Sequence, residues 1–241
     1  MSVPVEFENL RVVLVSSRNP LNIGAAARAM SNFGVLRLRV VNPFDAAFRE
    51  ARSAVGAAAV LADAEEYSSV ADAVADCKLV VGTTAVGVRD LNHPVKRLET
   101  AARVIRKQLG SGNVAILFGS EKFGLSNKDF SHCHWLTRIP TREDHRSMNL
   151  GQAVAICMYE LTRDATAAGD AEKEELAVSS EIDRFTDSLL AALKTSGYVN
   201  PAASTDEKVR RLVRRLRMPA RDVQVWLGVL RQIMWKMRSG K

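Results

Sequence analysis

Apolar residues between positions 11 and 164 follow two alternating rhythms. Short β-branched runs at 12–16, 36–41, 78–83, 113–119 and 134–139 read as buried strands. Between them, 23–33, 51–61, 69–76, 95–109 and 150–162 have helical composition or spacing. The last of these places apolar residues at 150, 153, 154, 157, 158 and 161, the period of a helix buried along one stripe. This alternation predicts an α/β fold, a parallel sheet with helices on both faces. Sheets of that kind bind ligands outside the carboxyl ends of their strands.

The rhythm stops at 165–175, a stretch of Ala, Gly, Asp, Lys and Glu with no apolar period, which reads as a linker. Beyond it, 180–195 is an amphipathic helix with Ile182, Phe185, Leu189, Leu190 and Leu193 on one side. The sequence Gly197-Tyr-Val-Asn-Pro201 breaks it. A capping-box pattern, Ser204-Thr-Asp-Glu207, opens a helix over 208–217, and Pro219 opens a last one reaching about Met237. Three units are therefore predicted: an α/β domain over 1–165, a linker over 166–176 and a small all-helical module over 177–241.

Charge changes this picture in one respect. The chain carries a net charge of +7, and residues 176–241, with 13 Lys/Arg against 6 Asp/Glu, hold all of the excess. A basic appendage on a neutral body fits a polyanionic partner, with Arg210, Arg211, Arg214 and Arg215 as the densest cluster to meet RNA phosphates. A membrane-lying basic helix at 208–217 is the weaker reading, because its apolar stripe is narrow enough to pack within the module. No apolar run approaches the roughly 18 residues of a membrane span. Residues 1–10 carry Glu6 and Glu8 and no basic leader, and three widely spaced cysteines do not make a disulfide framework; both predict a cytoplasmic protein. The dinucleotide and P-loop glycine signatures are absent. His132-Cys133-His134 lacks a second ligand pair at zinc spacing, so no metal is expected.

Candidate chemistry gathers in three segments that follow strands: Asn22-Ile-Gly-Ala-Ala-Ala-Arg28, Phe118-Gly-Ser-Glu-Lys-Phe-Gly-Leu-Ser126 and Ser147-Met-Asn-Leu-Gly-Gln-Ala153. Gly24 permits a tight strand-to-helix turn, and Arg28 lies one helical turn further on. Gly119 and Gly124 bracket Glu121, whose carboxylate can accept from backbone amides. Ser147 and Asn149 stand where a helix N-cap is expected. Arg, Glu, Ser and Asn beside glycine turns suit a site that binds a cationic small molecule and acts on a polyanion.

Through these three segments, over residues 11 to about 164, the chain resembles the SPOUT superfamily and, within it, the TrmH-like RNA 2′-O-ribose methyltransferases. Met148 stands where that family usually has Leu, a near-volume match. The resemblance implies a deep trefoil knot, S-adenosyl-L-methionine as cofactor and a homodimer with a shared site. It implies methylation of a ribose 2′-hydroxyl in tRNA, at a cytidine or uridine of the anticodon loop (position 32). Ribosomal RNA, or a noncatalytic RNA-binding role, is the alternative. Thr83, Thr84, Ala85, Gly119, Ile139, Pro140, Ser147, Met148 and Asn149 would line the cofactor pocket. Arg28, Glu121, Ser147 and Asn149 match the family's functional polar positions, and Asn22 and Arg28 would face RNA. Arg28 would hold the phosphate beside the target ribose and stabilise charge on the 2′-oxygen. Its pKa, above about 12, leaves a phosphate or water relay equally able to take the proton.

Overall fold

The computed structural model describes residues 5–43, 58–85, 93–144, 146–163, 175–198 and 204–239. A 3-10 turn over Val5–Asn9 leads into β1 (Leu10–Val15), α1 (Pro20–Asn32), β2 (Leu38–Val41), α2 (Ala58–Ala62), β3 (Glu65–Tyr67), α3 (Val70–Ala73) and β4 (Leu79–Thr83). Then follow β5 (Val95–Arg97), α4 (Leu98–Leu109), β6 (Val114–Phe118), α5 (Asn127–Phe130), β7 (Trp135–Arg138) and α6 (Leu150–Thr162). The tail consists of α7 (Ser179–Thr195), α8 (Ser204–Arg215) and α9 (Ala220–Ser239).

The strands form one sheet in the order β3-β2-β1-β6-β4-β7-β5, every neighbouring pair parallel. Alternation along β1 explains why the central strands read as unbroken apolar runs. Val12 and Leu14 enter one core with Ile23 and Met30 of α1, Ile105 of α4 and Val154 and Met158 of α6. Val13 and Val15 enter the other, with Val80, Leu117, Phe130 and Cys133. Arg106 of α4 ties down the end of α6, donating through Nη1 to the Glu160 carbonyl at 2.7 Å.

Several elements depart from the pattern in the sequence. Residues 95–97 form β5 rather than the start of a helix. Parallel pairing of Val95 with Leu136 and of Arg97 with Arg138 overrides local propensity there, and Leu136 N donates to the Pro94 carbonyl at 2.9 Å. Helix α1 begins three residues earlier than its apolar period suggests, because Pro20 occupies its first turn and the Asn19 side chain accepts from Leu21 N at 2.9 Å. The acidic strand β3 carries no apolar signal and is held instead by Arg39. Residues 51–57 of one predicted helix, and most of the predicted linker, lie outside the described residues.

The tail folds around Ile182, Phe185, Val213, Val223 and Leu230 and is bonded to the body. Ser179 donates from N and Oγ to the Cys77 carbonyl at 3.0 and 2.8 Å, and Arg217 Nη2 donates to Gln108 Oε1 at 3.1 Å. Cys77 precedes β4, so α7 docks at the amino end of that strand.

Arg39 of β2 ties β3 and the end of α3 to the sheet. It donates through Nη2 to Asp76 Oδ2 at 3.0 Å, through Nε to Glu65 Oε2 at 3.1 Å and through Nη1 to the Ala73 carbonyl at 2.9 Å. Burial alone pushes Asp76 up, but the hydrogen bonds and charge of Arg39 outweigh it and hold the carboxyl down at about 2. Removing the guanidinium in Arg39→Met should destabilise the fold by about 2 kcal/mol in urea at pH 7. That is below the range for fully buried pairs, since Glu65 and Asp76 keep 41% and 44% exposure. A depressed carboxyl stabilises fully above its ordinary 3.8 and loses that contribution as pH falls toward about 2, so the gap between wild type and variant should close across that window.

Candidate active site

The three motif segments meet at the carboxyl edge of the sheet, beyond β1, β6 and β7. The loop after β6 folds back on itself: Gly124 N donates to the Ser120 carbonyl at 2.8 Å, with Gly124 at φ +66°. A Cβ on Gly119 would lie 2.1 Å from the Gly124 carbonyl carbon, so only glycine fits there. This turn presents Glu121 to the amino end of α1. Its carboxylate accepts from Arg18 N at 3.4 Å, Asn19 N at 3.3 Å and Asn22 Nδ2 at 3.1 Å. A helix start offers free N–H groups and positive dipole, both of which favour the carboxylate.

The chain of bonds continues into the third segment. Asn22 Oδ1 accepts from Asn149 Nδ2 at 2.8 Å, and Asn149 Oδ1 caps α6 by accepting from Gly151 N at 2.9 Å and Gln152 N at 3.3 Å. Glu121, Asn22 and Asn149, one from each motif, therefore form a single hydrogen-bonded line. Helices α1 and α6 approach closely beside it, since a Cβ on Gly151 would sit 2.6 Å from that of Ala25.

A cavity of about 510 Å³ opens next to this line. Thr83, Thr84 and Ala85 line it after β4, Gly119 and Glu121 after β6, Ile139 after β7, and Ser147 and Met148 before α6. Pro140 and Asn149, also expected there, are not among its lining residues. Leu125, Phe130, Thr137, Thr141, Arg146 and Ala153 also line the cavity, and sequence reasoning missed them. Strand parity could have found Thr137, which lies two positions before Ile139 and so on the same face of β7. Thr83 is fixed at the end of β4 by donating from Oγ1 to the Leu117 carbonyl at 2.8 Å.

Arg28 does not line the cavity of its own chain. It is exposed on α1 in a stripe with Leu21 and Ala25, and among the described residues it has no hydrogen bond or ion pair. Asn22, expected to face RNA, is instead engaged through both atoms of its amide by Glu121 and Asn149.

The tail arginines also require correction. Arg214 is 1% exposed and donates to Asp183 Oδ1 at 2.8 Å; Arg210 donates to Asp183 and Asp187 at 2.8 and 3.1 Å; Arg211 is buried. Only Arg215 of the four is exposed. The cause is helical phase: the face of α8 that buries Val209 and Val213 carries Arg210 and Arg214 inward with it, against the acidic side of α7. His134 is buried, accepts from Val80 N at 3.0 Å through Nδ1, and is pushed down to about 3 by burial. Among the described residues no cluster of three or more His, Cys, Asp or Glu side chains is placed to hold a metal.

Comparison with known proteins bears on this geometry. Residues 9–159 match the SpoU rRNA Methylase family. The chain is 33% identical over 236 residues to the tRNA (cytidine/uridine-2′-O-)-methyltransferase TrmJ of Pectobacterium atrosepticum, covering 94% of this chain and 97% of that protein. It is 30% identical to TrmJ of Salmonella typhimurium, over 94% and 96% of the two chains. The crystal structure of TrmJ from Z. mobilis superposes with a TM-score of 0.82 at 33% identity, covering 93% of this chain and 98% of that one.

Two substitutions test how the site is held. Asn149→Ala removes the cap of α6 and the donor to Asn22, and should cost about 1–2 kcal/mol by urea denaturation. Gly119→Ala forces its methyl group into the Gly124 backbone and should cost more than about 3 kcal/mol, or prevent folding, as read by the thermal midpoint.

Proposed function

The chain belongs to the SpoU rRNA Methylase family, and from that premise we infer that it transfers a methyl group from S-adenosyl-L-methionine to the ribose 2′-hydroxyl of a cytidine or uridine in tRNA, acting in the cytoplasm. The target is assigned to the anticodon loop, at position 32. The observation that carries this reading is the Glu121–Asn22–Asn149 line, which ties the β6 loop and the start of α6, both at one cavity, to α1, the helix that carries the exposed Arg28. Ribosomal RNA, the substrate in the family's name, is the second reading. Relatives that match across the tail as well as the body are tRNA enzymes, and this favours tRNA.

The cavity suits the cofactor. Leu125, Ile139, Met148 and Leu150 offer apolar walls for an adenosine, and Thr83, Thr84, Ser120 and Ser147 offer a few polar contacts. The cofactor supplies an electrophilic methyl group on a sulfonium. The protein's task is the ribose hydroxyl, whose pKa lies far above neutral. Arg28, a permanent cation, holds the adjacent phosphate and stabilises negative charge as it develops on the 2′-oxygen. Ser147, at the cavity mouth, orients the ribose, and Glu121 and Asn149 keep the loops in place for an in-line approach.

Two further features belong to this reading. Arg28 stands outside its own cavity, on a surface that also exposes Leu21, Ile156 and Tyr159. A second copy covering that surface would remove these apolar groups from water and bring Arg28 to the partner's cavity. Strand β7 is inserted between β4 and β5 and parallel to both, an arrangement compatible with the knot of the SPOUT fold.

Arg28→Ala should abolish methyl transfer to unmodified tRNA in single-turnover assays and leave S-adenosylhomocysteine affinity nearly unchanged by calorimetry. Arg28→Lys should also be severely impaired, because Lys lacks the planar fork. Near wild-type turnover in Arg28→Ala would remove the assignment. In sedimentation velocity the protein should run near 53 kDa, twice its 26.4 kDa chain mass, and Tyr159→Arg should shift it toward monomer with loss of activity.

A further inference from the structure

The tail holds the whole positive excess of the chain, yet most of the arginines of α8 are turned inward; with only Arg215 of those four exposed, a partner of that charge needs further cations. Helix α9 supplies them. Arg221, Gln224, Gly228, Arg231, Trp235 and Arg238 recur at three- and four-residue steps and fall on one side of the helix. All six are exposed. The opposite side of α9 carries Val223 and Leu230 into the tail core. Gln224 donates weakly to Glu181 at 3.3 Å, and Arg221 lies 3.4 Å from Asp222, the only acid in the helix. Among the described residues, Arg231 and Arg238 make no hydrogen bond or ion pair.

Trp235 is 63% exposed between these two cations, four residues after Arg231 and three before Arg238. The rise of a helix places them about 6 and about 4.5 Å along the axis on either side of the indole. An exposed aromatic ring flanked by cations matches a single-stranded nucleic acid, whose unpaired base has a face to stack while the phosphates on either side need positive charge. Resting on the tRNA reading above, we propose that the exposed side of α9 is the surface through which the tail holds tRNA: Trp235 stacks on an unpaired base, and Arg231 and Arg238 meet the flanking phosphates. Arg221 extends the charged track toward the start of the helix. Nothing stands within 4 Å of a Cβ built on Gly228, which keeps the middle of the track open for close approach of the strand.

Val225, Val229 and Ile233 form an adjacent exposed apolar stripe. A second copy of the chain is the competing occupant of α9, and the test separates the two. Labelled unmodified tRNA is titrated with the full-length protein over a salt series. Trp235→Ala should weaken binding about tenfold with little change in salt slope, and Trp235→Phe should keep most of the affinity. The double variant Arg231→Gln/Arg238→Gln should make the slope of log K against log salt shallower by about 1.4, roughly 0.7 per phosphate contact. Val229→Gln, on the apolar stripe, should bind as wild type. S-adenosylhomocysteine affinity and the thermal midpoint should not move in any of them. If the wild type binds and methylates tRNA and the Trp235 and arginine variants match it, the α9 surface is not used and this inference falls while the functional reading stands. If these variants change sedimentation mass and leave RNA affinity alone, α9 is a protein interface and the inference is overturned. If the wild type binds no tRNA, the functional reading itself fails and takes this inference with it.

Discussion

The carboxylate of Glu121 at the amino end of α1 is the interaction on which the site depends. It satisfies the otherwise orphaned Arg18 and Asn19 amides and, through Asn22, fixes the asparagine that caps α6. Hydrogen bonds to a charged group are stronger than neutral ones, and here they also neutralise the positive end of a helix. Two of the segments joined this way, the β6 loop and the start of α6, also supply much of the cavity wall. Loss of Glu121 would therefore do more than break bonds on the surface: it would free the β6 loop that carries Gly119 and loosen the start of α6 that follows Ser147 and Met148. Glycines make the arrangement possible, because Gly119 lets the β6 loop close on itself and Gly151 lets α6 reach α1.

The body was legible because its central strands are buried on both faces and helices alternate with them, so apolar runs and helical periods mark nearly every element there. The two strands that escaped were decided by pairing between distant segments. Glu65–Tyr67 has no apolar pattern and becomes a strand through Arg39 and its neighbour β2; Val95–Arg97 looks helical and becomes a strand because β7 lies alongside. The motif residues stood out locally by their glycines and polar side chains. The partners of Asn22 did not, because they lie 99 and 127 residues away in the chain. Charge counting located the excess correctly but could not say which arginines remain free: Asp183 and Asp187 of α7 take up Arg210 and Arg214, and helical phase alone decides this.

The architecture separates two tasks. The parallel sheet holds a rigid edge where small polar loops meet, and its motifs do chemistry on a small scale. The tail has its own apolar core, is bonded to the segment before β4, and places charge on the outer side of its last helix. The apolar core of the tail shares no residue with the two cores of the body. The docking of Ser179 on Cys77 nonetheless sets where a bound RNA would lie relative to the cavity, so the distance between the two surfaces is built into the fold.

Cavity, motif line and family together make this chain a methyltransferase of ribose 2′-oxygens in tRNA. The most direct test is to incubate the purified protein with S-adenosylmethionine and unmodified tRNA, then map new methyl groups by mass spectrometry of nuclease fragments. One cofactor-dependent methyl group is expected on the ribose of a cytidine or uridine in the anticodon loop. A methyl group on a base, or modification of ribosomal RNA with none of tRNA, would contradict it.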